Sequence, residues 1–157
     1  MSTIILEKYD TYLASIENSI GSNLFRNVYS TKDGVPHTDI LKDGDLSCAF
    51  FVSCLLVLVG YITKPHATVS GLTKELERTG WVQTSSPKKG DIVVWQPRIV
   101  SEEMHPHIGF YIGDNYAVSN SSEKKSPQKH HITNWVRPDQ STHQEVTAIY
   151  THPEYIQ

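Results

Sequence analysis

Cys48 and His107 head the side chains in this sequence that could act as nucleophile and base near neutral pH. Cys48 follows a polar stretch and opens the apolar run AFFVSCLLVLV, whose composition is that of a buried helix. A thiol at a helix start meets unpaired N–H groups and the positive end of the helix dipole. Both favour the thiolate, the reactive form. The plainer alternative is a small core residue. Cys54 fits that alternative better. At about 100° per residue it points roughly 120° away from Cys48, flanked by Val52, Leu55 and Leu56. The two cysteines therefore share no site and close no disulfide along one straight helix.

His107 opens the run HIGFYI. As a strand, this places His107, Gly109 and Tyr111 on one face and Ile108, Phe110 and Ile112 on the other. The apolar face is the core. Gly109 leaves room for another element to approach the His107 face closely, and a helix bearing Cys48 suits that room. The alternative is an exposed strand-end histidine. A catalytic imidazole also needs a third polar group to orient it. Gly113-Asp114-Asn115 signals a hairpin, and the returning strand offers two such groups. A two-residue loop pairs Gly113 with Tyr116 and Gly109 with Asn120, putting Asn120 on the His107 face. A three-residue loop puts Ser119 there instead, so a one-residue slip decides. Asn120 is favoured as the better acceptor, and Ser119 stays open.

His105 shares the His107 face at a spacing of two, and His130 and His131 follow later. Such a collection with a cysteine could bind zinc. The sequence has no paired CxxC, no HExxH and no clustered carboxylates, so neither a metal nor an organic cofactor is expected. His130 or His131 could flank a substrate cleft, and His66 reads as a loop residue. Trp81, Trp95 and Trp135 could line a cleft, with core packing the better reading for Trp95.

These residues need elements to hold them. Leu6, Tyr9, Leu13, Ile16 and Ile20 recur at steps of three and four, which predicts an amphipathic helix stopped by Gly21. The stretch to Asp45 reads as a long irregular loop. Residues 48–59 form the second helix, capped by Asp45 or Ser47 and ended by Gly60. Residues 70–79 form a third, with Leu72 and Leu76 on one face. The pattern then changes to period two, with strands at 91–95, 107–112, 116–120 and 146–150. A short strand is expected at 130–136 and a polar loop at 121–129. Helices followed by strands mean an α+β fold, with N-terminal helices packed on an antiparallel sheet.

The chain has 157 residues, which fits one domain. It divides into an N-terminal helix and loop (1–45), a helical segment (46–80) and the sheet (81–157). Hydrophobic residues are 38% and charged residues 20%, the balance of a globular protein. Fourteen basic against seventeen acidic residues give a net charge of −3, which argues against a general electrostatic hold on nucleic acid. Two cysteines are too few for a disulfide scaffold. The start MSTIILEKYD lacks the pattern of a secretory signal, and residues 49–59 are too short to span a bilayer. Localisation stays open: the chain reads as cytoplasmic as sequenced, unless an unrecognised route exports it.

In order along the chain, SCAFFV, GDIVVW, HIGFYIG and a polar residue on the following strand resemble the NlpC-like cysteine peptidases. These papain-like enzymes include many that cut peptide or amide bonds in bacterial cell walls. The match runs from about Cys48 to Asn120, roughly half the chain. No single piece is specific; their order is moderately so. The resemblance implies a papain-like fold with Cys48 as nucleophile at the start of a buried helix and His107 as base. It also implies a third catalytic residue on the strand after His107. Ungapped spacing puts that position on Ser119, while hairpin geometry favours Asn120. Ser47 replaces the family's usual Asp before the nucleophile, and Ala49 and Phe50 replace Ser and Gly after it. The family's Tyr-bearing stem-peptide segment is not recognisable, though Tyr29 or residues 35–41 could replace it. These departures mark a divergent branch and leave the substrate open.

The implied activity is cysteine hydrolysis of a peptide or amide bond through a thioester, with a peptide or peptidoglycan fragment as substrate. The Cys48 backbone N–H would donate to the developing oxyanion. Two alternatives stand beside it: a non-catalytic binding or regulatory module on the same fold, and an acyl transferase using the same thioester.

Overall fold

The computed structural model describes residues 1–133 and 144–156. Within these the chain is a mixed α+β fold with three α-helices and antiparallel sheets. Helix α1 is Lys8–Asn18, α2 is Cys48–Leu58 and α3 is Val69–Arg78. Strands β1 (Tyr29–Lys32) and β2 (Val35–Asp39) form a separate hairpin. The remaining strands are β3 (Val82–Gln83), β4 (Ile92–Val100), β5 (Glu103–Gly113), β6 (Tyr116–Ser121), β7 (Ser126–His131) and β8 (Val146–Thr151). They form one six-stranded sheet in the order β3-β8-β4-β5-β6-β7. A short 3-10 helix, Pro153–Ile156, follows.

Three expectations need correction. The predicted irregular loop before Asp45 contains the β1–β2 hairpin. Its turn is Asp33-Gly34, both with positive φ, a residue pair suited to a tight hairpin turn. Second, the polar loop expected over 121–129 ends early, because β7 starts at Ser126 and pairs with β6 from Ser121 to Tyr116. That strand ends at His131, and the rest of the expected 130–136 strand from 134 onward lies outside the described residues, as does Trp135. Third, α1 is shorter than its predicted stripe. Leu6 and Ile20 lie outside it and are exposed, while Tyr12, absent from the stripe, is fully buried. The Tyr12 hydroxyl donates to the Gly90 carbonyl at 2.6 Å, which lets a phenol be buried without an orphaned polar atom.

Helix α2 matches its predicted start. It is apolar on most sides, with Ala49, Phe51, Val52, Leu55 and Leu56 buried. Gly60 follows it at φ 75°, and the Tyr61 N–H bonds the Leu56 carbonyl at 2.9 Å. Thr68 caps α3 by accepting from the Gly71 N–H at 3.1 Å.

The sheet has two differently filled faces. Ile92, Val94, Ile108, Phe110 and Val118 share one core with residues of all three helices, and Phe51 meets Phe110 edge-on at 5.3 Å. On the opposite face Val93, Trp95, Ala117 and Ile132 form a smaller cluster. Period-two alternation sends His107 to that second face.

Candidate active site

Cys48 is the first residue of α2, and Ser47 occupies the cap position without making a side-chain cap bond. Asp45, the other predicted cap, instead bonds Ser101 at 2.8 Å and pairs with Lys125. The helix start therefore keeps its N–H groups for the thiol. Cys48 is half-buried, and its sulfur lies by the N–H groups of Ile108, Ala49 and Cys48 itself. Burial pushes the thiol above the ordinary cysteine value. Those N–H groups and the Arg98 charge oppose the shift but do not overcome it. Burial thus works against the low-pKa thiolate expected of a cysteine at a helix start. Cys54 is a free, half-buried thiol packed against the core, and burial pushes it up to about 11.

Ile108 follows His107, so the thiol lies against β5 at the residue after His107. The pairing of β5 with β6 runs from Gly109↔Ser119 to Gly113↔Tyr116, and the helix start meets β5 just before it. His107 is 3% exposed, too little for the surface-histidine alternative. Burial drives its imidazole well below the ordinary histidine value, and the Arg98 and His130 charges push the same way.

A bulge decides which of the two polar residues lies beside the His107 ring. Asp114 and Asn115, at φ 52° and 63°, do form a two-residue loop, and Gly113 does face Tyr116. Between Tyr111 and Gly113 the register then slips. The extra residue, Ile112, changes the pairing, and Gly109 faces Ser119 rather than Asn120. The Ser119 Oγ lies 2.8 Å from His107 Nε2. Asn120 is on the other face, where its Nδ2 donates to the Gly44 carbonyl at 2.8 Å. It braces the loop entering Cys48 and does not orient the imidazole.

The space at Gly109 is also filled otherwise than expected. A Cβ there would lie 2.6 Å from the Ser119 Cβ and 3.1 Å from the Trp95 ring. The indole of Trp95, not α2, occupies this room. It sits 5.4 Å from the His107 ring and 5.5 Å from the His130 ring, and its Nε1 donates to the Ile132 carbonyl at 2.7 Å.

His130 is the main addition. Its Nε2 lies 2.8 Å from Ser119 Oγ and its Nδ1 lies 2.9 Å from the His131 carbonyl. Its sequence neighbour His131 turns to Thr133 instead. Arg98 is the residue that the sequence analysis missed. The register of β4 against β5 slips between Trp95 and Arg98, so Arg98 faces His105 and returns to the His107 face. A Pro97 inside an apolar strand pattern was the available signal for that irregularity. His105 lies 3.4 Å from Glu103, and His66 is in a loop near Gly71. Among the described residues, no group of three or more His, Cys, Asp or Glu side chains could hold a metal ion. No helix among them is long and apolar enough to cross a membrane. Tyr29 and Val35 are exposed on the β1–β2 hairpin.

No protein-family model matches this chain, and none of the curated proteins matches it.

Proposed function

We propose that this protein is a papain-like cysteine hydrolase of a peptide or amide bond, with Cys48 as nucleophile and His107 as base. One observation carries the reading: the Cys48 thiol sits at the uncapped start of α2, against the N–H that follows His107, and Ser119 holds the His107 ring at 2.8 Å. Since both groups rest neutral, the Cys48 proton passes to His107 as the sulfur attacks the carbonyl. The N–H groups at the helix start stabilise the oxyanion that forms. The protonated imidazole gives its proton to the leaving amine as the C–N bond breaks, leaving a thioester. Water then gives a proton to His107 and attacks, the C–S bond breaks, and the proton returns to sulfur. The resemblance to wall peptidases makes peptidoglycan stem-peptide fragments the first substrates to try.

A binding module on the same fold is the second reading. It draws on the same burial, which opposes the thiolate and suits a buried cysteine with no turnover. Acylation by p-nitrophenyl acetate, followed by mass spectrometry of the intact protein, separates the two. The hydrolase reading expects one acetyl group on Cys48, gained faster than on Cys54 and lost over time by hydrolysis. It also expects His107→Ala to slow the gain at least tenfold. Equal labelling of the two cysteines, or labelling indifferent to His107, overturns it.

A further inference from the structure

We propose that His130, acting through the Ser119 hydroxyl, fixes the tautomer of His107 and makes Nδ1 its basic nitrogen. The His131 carbonyl 2.9 Å from His130 Nδ1 can only accept, so Nδ1 carries a proton. His130 is half-buried, and burial with the Arg98 charge brings its value down to about 4, so the ring is neutral near pH 7. Its Nε2 is then a bare acceptor. The Ser119 hydroxyl 2.8 Å away must donate to it. Having spent its only proton there, Ser119 Oγ can only accept from His107 Nε2, also at 2.8 Å. His107 therefore carries its proton on Nε2 and its lone pair on Nδ1. The two histidines hold opposite tautomers on either side of one serine.

The sheet explains why this chain is rigid. His107 on β5 and His130 on β7 lean toward Ser119 on the strand between them, and Trp95 lies within 5.5 Å of both rings. A serine between two imidazoles has two possible directions of donation. The His131 carbonyl, a main-chain acceptor with fixed polarity, selects one of them. His130 is thus a positioning residue. Its role as part of catalysis rests on the hydrolase reading above, whereas the tautomer does not.

The test is a long-range proton–nitrogen NMR spectrum of the full chain labelled with ¹⁵N-histidine, with resonances assigned through His107→Gln and His130→Gln. The expected result at pH 7 is a protonated Nε2 on His107 and a protonated Nδ1 on His130. A His130→Leu variant, which offers Ser119 no acceptor, should mix the His107 tautomers and slow Cys48 acylation about tenfold, because a wrong tautomer has no basic nitrogen where it is needed. His130→Gln, whose amide oxygen can accept from Ser119, should restore the wild-type His107 signal. A protonated Nδ1 on His107 in the wild type overturns the proposal even if a variant fails to fold. So does a His107 signal unchanged in folded His130→Leu. The tautomers as expected with an inert Cys48 would sink the hydrolase reading alone. A reactive Cys48 beside a His107 protonated on Nδ1 would sink the relay alone.

Discussion

Gly109 and Ser119 face each other across β5 and β6 with no room for a side chain on Gly109: a Cβ there would lie 2.6 Å from the Ser119 Cβ. It would also lie 2.7 Å from the Val118 carbonyl oxygen, which is backbone and cannot swing away. Gly109→Ala should therefore overpack this face and destabilise the fold by about 1–3 kcal/mol. Urea denaturation measures that cost. The same strain should push Ser119 off the His107 ring, so Cys48 acylation should slow in the folded fraction. A variant as stable and as reactive as wild type would show that the two strands are not this close.

Ser119 and Asn120 are neighbours with separable jobs. Asn120→Ala removes the donor to the buried Gly44 carbonyl and should cost about 1–3 kcal/mol. It should leave the ring nitrogens of His107 as they are in the wild type. Ser119→Ala should shift those nitrogens, because it removes the group bonded to Nε2. The two ¹⁵N spectra, compared with two denaturation curves, check this division. A shift of the His107 nitrogens in folded Asn120→Ala would contradict it.

The rate of Cys48 alkylation by iodoacetamide should still be rising with pH beyond the ordinary cysteine value of about 8.5. Burial is the main cause, and the Arg98 charge works against it. Arg98→Met should therefore raise the apparent thiol value further. It should also raise His107 and His130, since the same charge holds both down. A plateau reached by pH 6 in the wild type would mean that the pair rests as thiolate and imidazolium after all.

Stability should fall as the solution is acidified from about pH 6.5 towards pH 4. His107 and His130 are neutral when folded, their values lowered mainly by burial, His130 to about 4. The unfolded chain takes up protons on both at about pH 6.5. It binds more protons than the folded state across that window, so stability is full above it and drains away below. Among the described residues, the charged and titratable groups that act on the two rings include Arg98 from β4, His131 from β7 and each other. His130 alone accounts for up to roughly 3 kcal/mol by the bottom of the window. Asp43 and Glu75, held down to about 2 by Arg26 and Arg78, lose their contribution at lower pH. Chemical denaturation of wild type and His130→Gln between pH 7 and 4 should show a shallower loss in the variant. Parallel curves would remove His130 as a cause.

Local chemistry and periodicity were enough to read several parts from the sequence alone. The start and end of α2 were legible because an apolar run of helical length met a polar loop on one side and Gly60 on the other. The face alternation of β5 followed from its period of two, as did the hairpin at Asp114-Asn115 from its turn residues. The Cys48 and His107 positions were therefore legible as candidates. The rest depended on contacts between distant segments. One bulge residue, Ile112, exchanged Asn120 for Ser119 beside the imidazole, and a second irregularity near Pro97 brought Arg98 to the same face. Neither slip changes the apolar pattern of its strand enough to be read. The directions in which the Cys48 and His107 values shift follow mainly from burial, a property of the assembled core. The link from His107 through Ser119 to His130 joins three strands, and only their pairing in space brings those three polar atoms together.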